Sequence, residues 1–143
     1  MDRGTLVTRT LAAAGTLFVW LTILFPIALS LNRFVSTGTL RIDYLMPGEL
    51  FPLFALGSIL LWVTARRSGL LQKSIPTFSL AAFAFLFAAQ ATAILTGMAS
   101  GDREAAGWPW VVCNAFLILY ILLVIFTGLL GISLIRSIPE QNP

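Results

Sequence analysis

Few side chains in this sequence could take part in chemistry, and their types exclude more reactions than they allow. The chain has no histidine and one cysteine, Cys113. Histidine-ligated haem or zinc is therefore excluded, as are the Ser-His and Cys-His pairs of nucleophilic catalysis. A single cysteine cannot form an internal redox pair, and inside an apolar run it reads as a small packing residue. Every acidic residue lies outside the apolar runs or at their edges, so no mid-membrane carboxylate is present to couple protons to transport. Asp102-Arg103-Glu104 has the character of an aqueous loop. The expectation is a protein that is not an enzyme and holds no metal or cofactor.

One acid stands apart. Glu49 follows Pro47-Gly48 and opens the second apolar run, with Pro52 three residues later. An acid in a first helical turn complements the helix dipole, and that alone accounts for it. The run is nonetheless short, about 16 residues or ~24 Å, so its end can be drawn below the headgroups. A carboxyl held there disfavours its charged form and could serve as a proton or cation site.

The remaining candidates are amides and small residues. On a helical projection of the third run, Ala81, Ala84, Ala88, Ala91, Thr92 and Leu95 share one arc, which reads as a close-packing surface. Gln90 falls on the opposite arc beside Phe83, Leu86, Phe87 and Ile94. In the fourth run Asn114, Ile121 and Gly128 recur every seven residues, with Cys113, Tyr120, Thr127 and Gly131 alongside. The depths of Gln90 and Asn114 differ by only ~5 Å. A hydrogen bond between them, within the chain or across an interface, would contribute about 0.6–1.7 kcal/mol. Helix–helix contact and a substrate-lining surface are both open readings of these amides. Trp20, midway along the first run with Ala13, Thr16, Leu24 and Ile27 on its face, reads as packing.

The elements that must position these residues follow from composition. Of 143 residues, 58% are hydrophobic and 10% charged, too few charges to cover a soluble fold. The solvent is expected to be the lipid bilayer. Four apolar runs cover 11–31, 50–65, 77–98 and 110–135, with an outer loop over 32–48 that could hold a small hairpin. A bilayer core needs about 20 helical residues, and only the second run is short. The expected fold is all-α: residues 1–143 form a single transmembrane domain, a bundle of four transmembrane helices.

Charge sets the expected orientation. Arg3, Arg9, Arg66, Arg67, Lys73 and Arg136 flank one side of the spans, and Arg33, Arg41 and Arg103 the other. That bias predicts cytoplasmic termini, and Trp108 and Trp110 suit an interfacial belt at the outer side. A cleaved signal peptide is the rival for the N-terminus, given Arg3, Arg9 and Ala28-Leu29-Ser30 after Pro26, but the apolar run exceeds the usual core of such a signal. The basic residues form no stripe with interleaved aromatics, so no nucleic acid partner is expected. The functional expectation is an accessory, assembly or stabilising subunit of a larger membrane complex, in a bacterial inner membrane, with other membrane subunits or copies of itself as partners. The alternative is a small homo-oligomeric transporter or channel using Glu49.

Overall fold

The computed structural model describes residues 3–37, 50–100 and 106–138, which form four α-helices: α1 (Arg3–Thr37), α2 (Phe51–Ser68), α3 (Ser74–Leu95) and α4 (Gly107–Ser137). Lipid offers no hydrogen bonds to a backbone, so apolar runs of this length satisfy their amides internally as helices. α2 and α3 stop where the chain meets a residue suited to leaving a helix. Gly69 (φ 74°) ends α2 and Gly97 (φ 75°) follows α3, both in the left-handed region that glycine adopts without steric cost. Arg66 and Arg67 in the last turn of α2 face the negative end of its dipole.

Three helices, α1, α3 and α4, are long and apolar enough to cross a bilayer, with mean hydropathies of 2.0, 1.9 and 2.8 over their candidate spans. That is the character of a membrane-embedded protein. At most 33% of each span is buried in the bundle, so most of its apolar surface needs another apolar medium. α2 does not reach the same standard. It has 18 residues, two of them arginines, leaving ~22 Å of uncharged helix.

Several boundaries differ from the pattern in the sequence. α1 begins eight residues before the expected Leu11, because its threonines return their hydroxyls to the helix: Thr8 Oγ1 donates to the Gly4 carbonyl at 2.8 Å and Thr10 Oγ1 to the Leu6 carbonyl at 3.0 Å. It runs unbroken through Pro26, which removes one backbone bond, to the Thr22 carbonyl. Residues 32–37, expected as loop, continue the helix. α3 starts at Ser74 with Pro76 in its first turn, where the ring is tolerated. It ends at Leu95 instead of Met98, and the Ala99 N–H turns back to the Ala93 carbonyl at 3.0 Å. Glu49 and the expected hairpin beyond Thr37 lie outside the described residues.

Neighbouring helices run antiparallel. Phe51 meets Phe87 and Phe54 meets Phe83 across α2 and α3. Phe78 stacks on Phe126, and Phe85 meets Phe116, across α3 and α4. α1 packs on α2 and α4, and α3 chiefly on α4, while α2 and α3 touch lightly. This up-down-up-down order carries Arg3, Arg9, Arg66, Arg67, Lys73 and Arg136 to one end of the bundle. The core between the helices holds Val19, Phe54, Leu61, Ile75, Leu86, Tyr120, Val124 and Leu134, each no more than 3% exposed.

Candidate functional site

Glycines on three helices set the closest approaches in the bundle. A Cβ at Gly57 would lie 2.9 Å from the Gly15 carbonyl oxygen, and one at Gly15 would lie 3.0 Å from that of Gly57. α1 and α2 therefore cross backbone to backbone. On the other side of α1, the indole of Trp20 lies over Gly128, whose added Cβ would be 3.0 Å from Nε1. Gly131 faces Thr16 Oγ1 and Leu61. Without a Cβ, each position lets a large neighbour or a second backbone approach at van der Waals distance, where dispersion is strongest. Gly128 thus lies where α4 meets Trp20 of α1. Gly15 and Gly57 were missed; their signal was a glycine inside each of two consecutive apolar runs.

Asn114 donates Nδ2 to the Trp110 carbonyl of its own helix at 2.8 Å. Gln90 is half-buried, with no side-chain hydrogen bond among the described residues, and none joins it to Asn114. The two amides are not brought together within this chain, because Asn114 finds an acceptor one turn away, as the bundle's threonines do. Cys113 is buried against α3, its thiol 3.5 Å from the Ala89 carbonyl.

The packing face of α3 differs in phase from the expected one. Ile75, Ser79, Ala82, Leu86, Ala89 and Ala93 are buried at alternating steps of four and three, the seam of an antiparallel pair. Ala84 and Ala91 are exposed, Ala88 is half-buried and Leu95 is 85% exposed. The small-residue arc holding Ala84 and Ala88 therefore points away from the bundle. A similar phase shift affects α1: Ala12, Gly15, Thr16, Val19 and Thr22 face inward, while Ala13, Leu24 and Ile27 are exposed.

Two openings between helices stand out among the described residues. One, of about 60 Å³, lies between α1 and α4 at Pro26, bounded by Thr22, Tyr120 and Val124. The other, of about 170 Å³, is a groove between α2 and α3. α2 contributes Ser58, Ile59 and Trp62 to it, α3 contributes Pro76, Ser79 and Leu80, and Phe83 closes its far end. Ser58 and Ser79 are each 5% exposed, and neither Oγ has a hydrogen-bond partner. In contrast, Thr16, Thr22, Thr64, Thr92 and Thr127 all donate to the carbonyl four residues earlier at 2.8–2.9 Å. The Arg66 guanidinium lies 4.2 Å over the Trp62 ring, at the groove's rim. Sequence reasoning passed over both serines, because an isolated serine in an apolar helix usually bonds its own backbone.

No cluster of three metal-ligating side chains occurs among the described residues. Comparison with protein-family models, curated proteins and solved structures gave no match.

Proposed function

We propose that this chain is a small non-catalytic membrane protein, an accessory, assembly or stabilising subunit of a larger membrane complex. The basic end of the bundle is its cytoplasmic end, which puts both termini in the cytoplasm, and a bacterial inner membrane is the proposed location. The observation that carries the reading is the outward surface of α3. Ala84 and Ala91 are exposed there at a spacing that lets another helix approach closely. Around the helix from them, half-buried Gln90 presents an amide with no intramolecular partner, and lipid offers it none. The internal seam of α3 is already occupied by α4, so a helix seated on this second surface must come from another chain.

The test is recovery from native membranes in mild detergent, with mass spectrometry of whatever accompanies the chain. Stoichiometric unrelated membrane subunits are expected. Ala84→Leu with Ala88→Leu should release them while the isolated chain keeps most of its thermal stability, since Ala84 is exposed and Ala88 only half-buried. Gln90→Leu should weaken recovery and Asn114→Leu should not. Recovery only with copies of itself would favour the homo-oligomer, with Glu49→Gln then tested for loss of any gradient-driven transport. Unchanged recovery in the double leucine variant would remove α3 as the contact surface.

A further inference from the structure

The groove between α2 and α3 has three properties that belong together. It is apolar along most of its wall, it is open laterally, and its base carries two hydroxyls that nothing in the chain satisfies. Ile59, Trp62 and Leu80 are 55%, 38% and 67% exposed, so the rim faces the surrounding medium. Ser58 and Ser79 lie beneath that rim, one from each helix. A buried hydroxyl without a partner carries a free-energy penalty. The other hydroxyls of the bundle show that an i−4 carbonyl satisfies such a group readily. An occupant with hydrogen-bond acceptors set within an apolar body would remove both penalties.

Charge identifies the occupant further. Arg66, Arg67 and Lys73 are exposed at the turn joining α2 to α3, and Arg66 is folded back over Trp62 at the groove's rim. None of the described residues is an aspartate or glutamate, so no described carboxylate neutralises this turn. Ser58 lies one helical turn, ~6 Å, beyond Trp62. A glycerophospholipid separates its phosphate from its acyl ester carbonyls by a similar span.

We infer that the α2–α3 groove is a binding site for one anionic glycerophospholipid. Its headgroup phosphate sits among Arg66, Arg67 and Lys73, its ester carbonyls accept from Ser58 and Ser79, and one acyl chain lies along the groove toward Phe83. A basic pocket between helices at the cytoplasmic face is the setting in which such headgroups are held. The site rests on the chain being membrane-embedded, as proposed above, but not on its having partner subunits.

Native mass spectrometry of the purified full-length chain tests it, with dioleoylphosphatidylglycerol and dioleoylphosphatidylcholine as probes at equal concentration. One phosphatidylglycerol should be retained in preference to phosphatidylcholine. Glutamine at Arg66, Arg67 or Lys73 should weaken phosphatidylglycerol roughly fivefold for each charge removed. Ser58→Ala with Ser79→Ala should weaken both lipids alike, and Ser79→Leu should occlude the groove. Circular dichroism melting confirms that each variant is folded, and the exposed glutamine variants carry the test if a serine variant is not. Equal retention of both lipids, or full retention by the triple glutamine variant, would overturn the site. Alkali extraction of native membranes reads the embedding separately: a chain released by alkali refutes the membrane reading itself. A chain that resists alkali but shows no lipid preference refutes only the groove.

Discussion

Gly57→Ala probes the backbone-to-backbone crossing of α1 and α2 and has an expected sign opposite to the one helix propensity gives. The new methyl carbon would sit 2.9 Å from the Gly15 carbonyl oxygen, 3.0 Å from Val19 Cγ2 and 3.1 Å from Phe18 Cβ. The nearest of these atoms is backbone and cannot rotate aside, so α1 must retreat from α2 by about 0.5 Å to restore ordinary contact. A gap of that size forfeits roughly a quarter or more of the dispersion energy of each contact along the crossing. Overpacking of this kind costs about 1–3 kcal/mol. Replacing glycine by alanine in a helix returns up to ~1 kcal/mol, leaving a net destabilisation of up to about 2 kcal/mol. Gly4→Ala is the control, because nothing lies within 4 Å of its added methyl and only the propensity gain remains. Unfolding of both variants in mixed micelles titrated with dodecyl sulfate, followed by tryptophan fluorescence, should place them about 2 kcal/mol apart. If Gly57→Ala were as stable as Gly4→Ala, the close crossing of α1 and α2 would be refuted.

Further consequences follow from buried polar groups and from the helix order. Tyr120 is 2% exposed and its hydroxyl has no partner, so Tyr120→Phe should be neutral or stabilising by up to ~1–2 kcal/mol in the same titration. A loss of more than about 1 kcal/mol would reveal a hydrogen bond to that hydroxyl. Cys113 is buried against Ala89, so maleimide should label it slowly in the folded protein and rapidly in dodecyl sulfate. Equal rates would mean that the α3–α4 contact opens readily. Cysteines placed at Ser68 and Ser100, after Cys113→Ala, should react with an impermeant reagent from opposite sides of the membrane. Labelling of both from one side would break the antiparallel order of α2 and α3 relative to the bilayer.

How much of this arrangement the sequence displayed depends on what each feature had to be distinguished from. Four helices were legible because a long apolar run in lipid has one way to satisfy its backbone. Their ends were less so. Thr8 and Thr10 look like loop residues, but their hydroxyls bond back to the helix, which polarity alone does not signal. Pro26 lies inside the expected 11–31 run and does not end the helix, because in a long helix it removes a single backbone bond.

The facing of the helices was the least legible feature, and α3 shows why. In water an apolar stripe marks the inside of a helix, because the other side must be polar. α3 is apolar all round, so hydrophobic period distinguishes nothing, and size becomes the only cue. α3 carries alanines on two faces: Ala82, Ala89 and Ala93 meet α4, while Ala84, Ala88 and Ala91 turn outward or toward the rim. A rule that small residues mark contact is satisfied equally by both sets, and the outward arc stood out first. If both sets mark contacts, the internal one is occupied by α4 and the outward one by another chain. The surface that misled the reading of the fold is then the same surface that supports a partner. Leucines at Ala84 and Ala88 separate the two roles: the outward arc should tolerate them in the isolated chain, whereas leucine at Ala82 or Ala89 should destabilise the bundle by about 1–3 kcal/mol through overpacking.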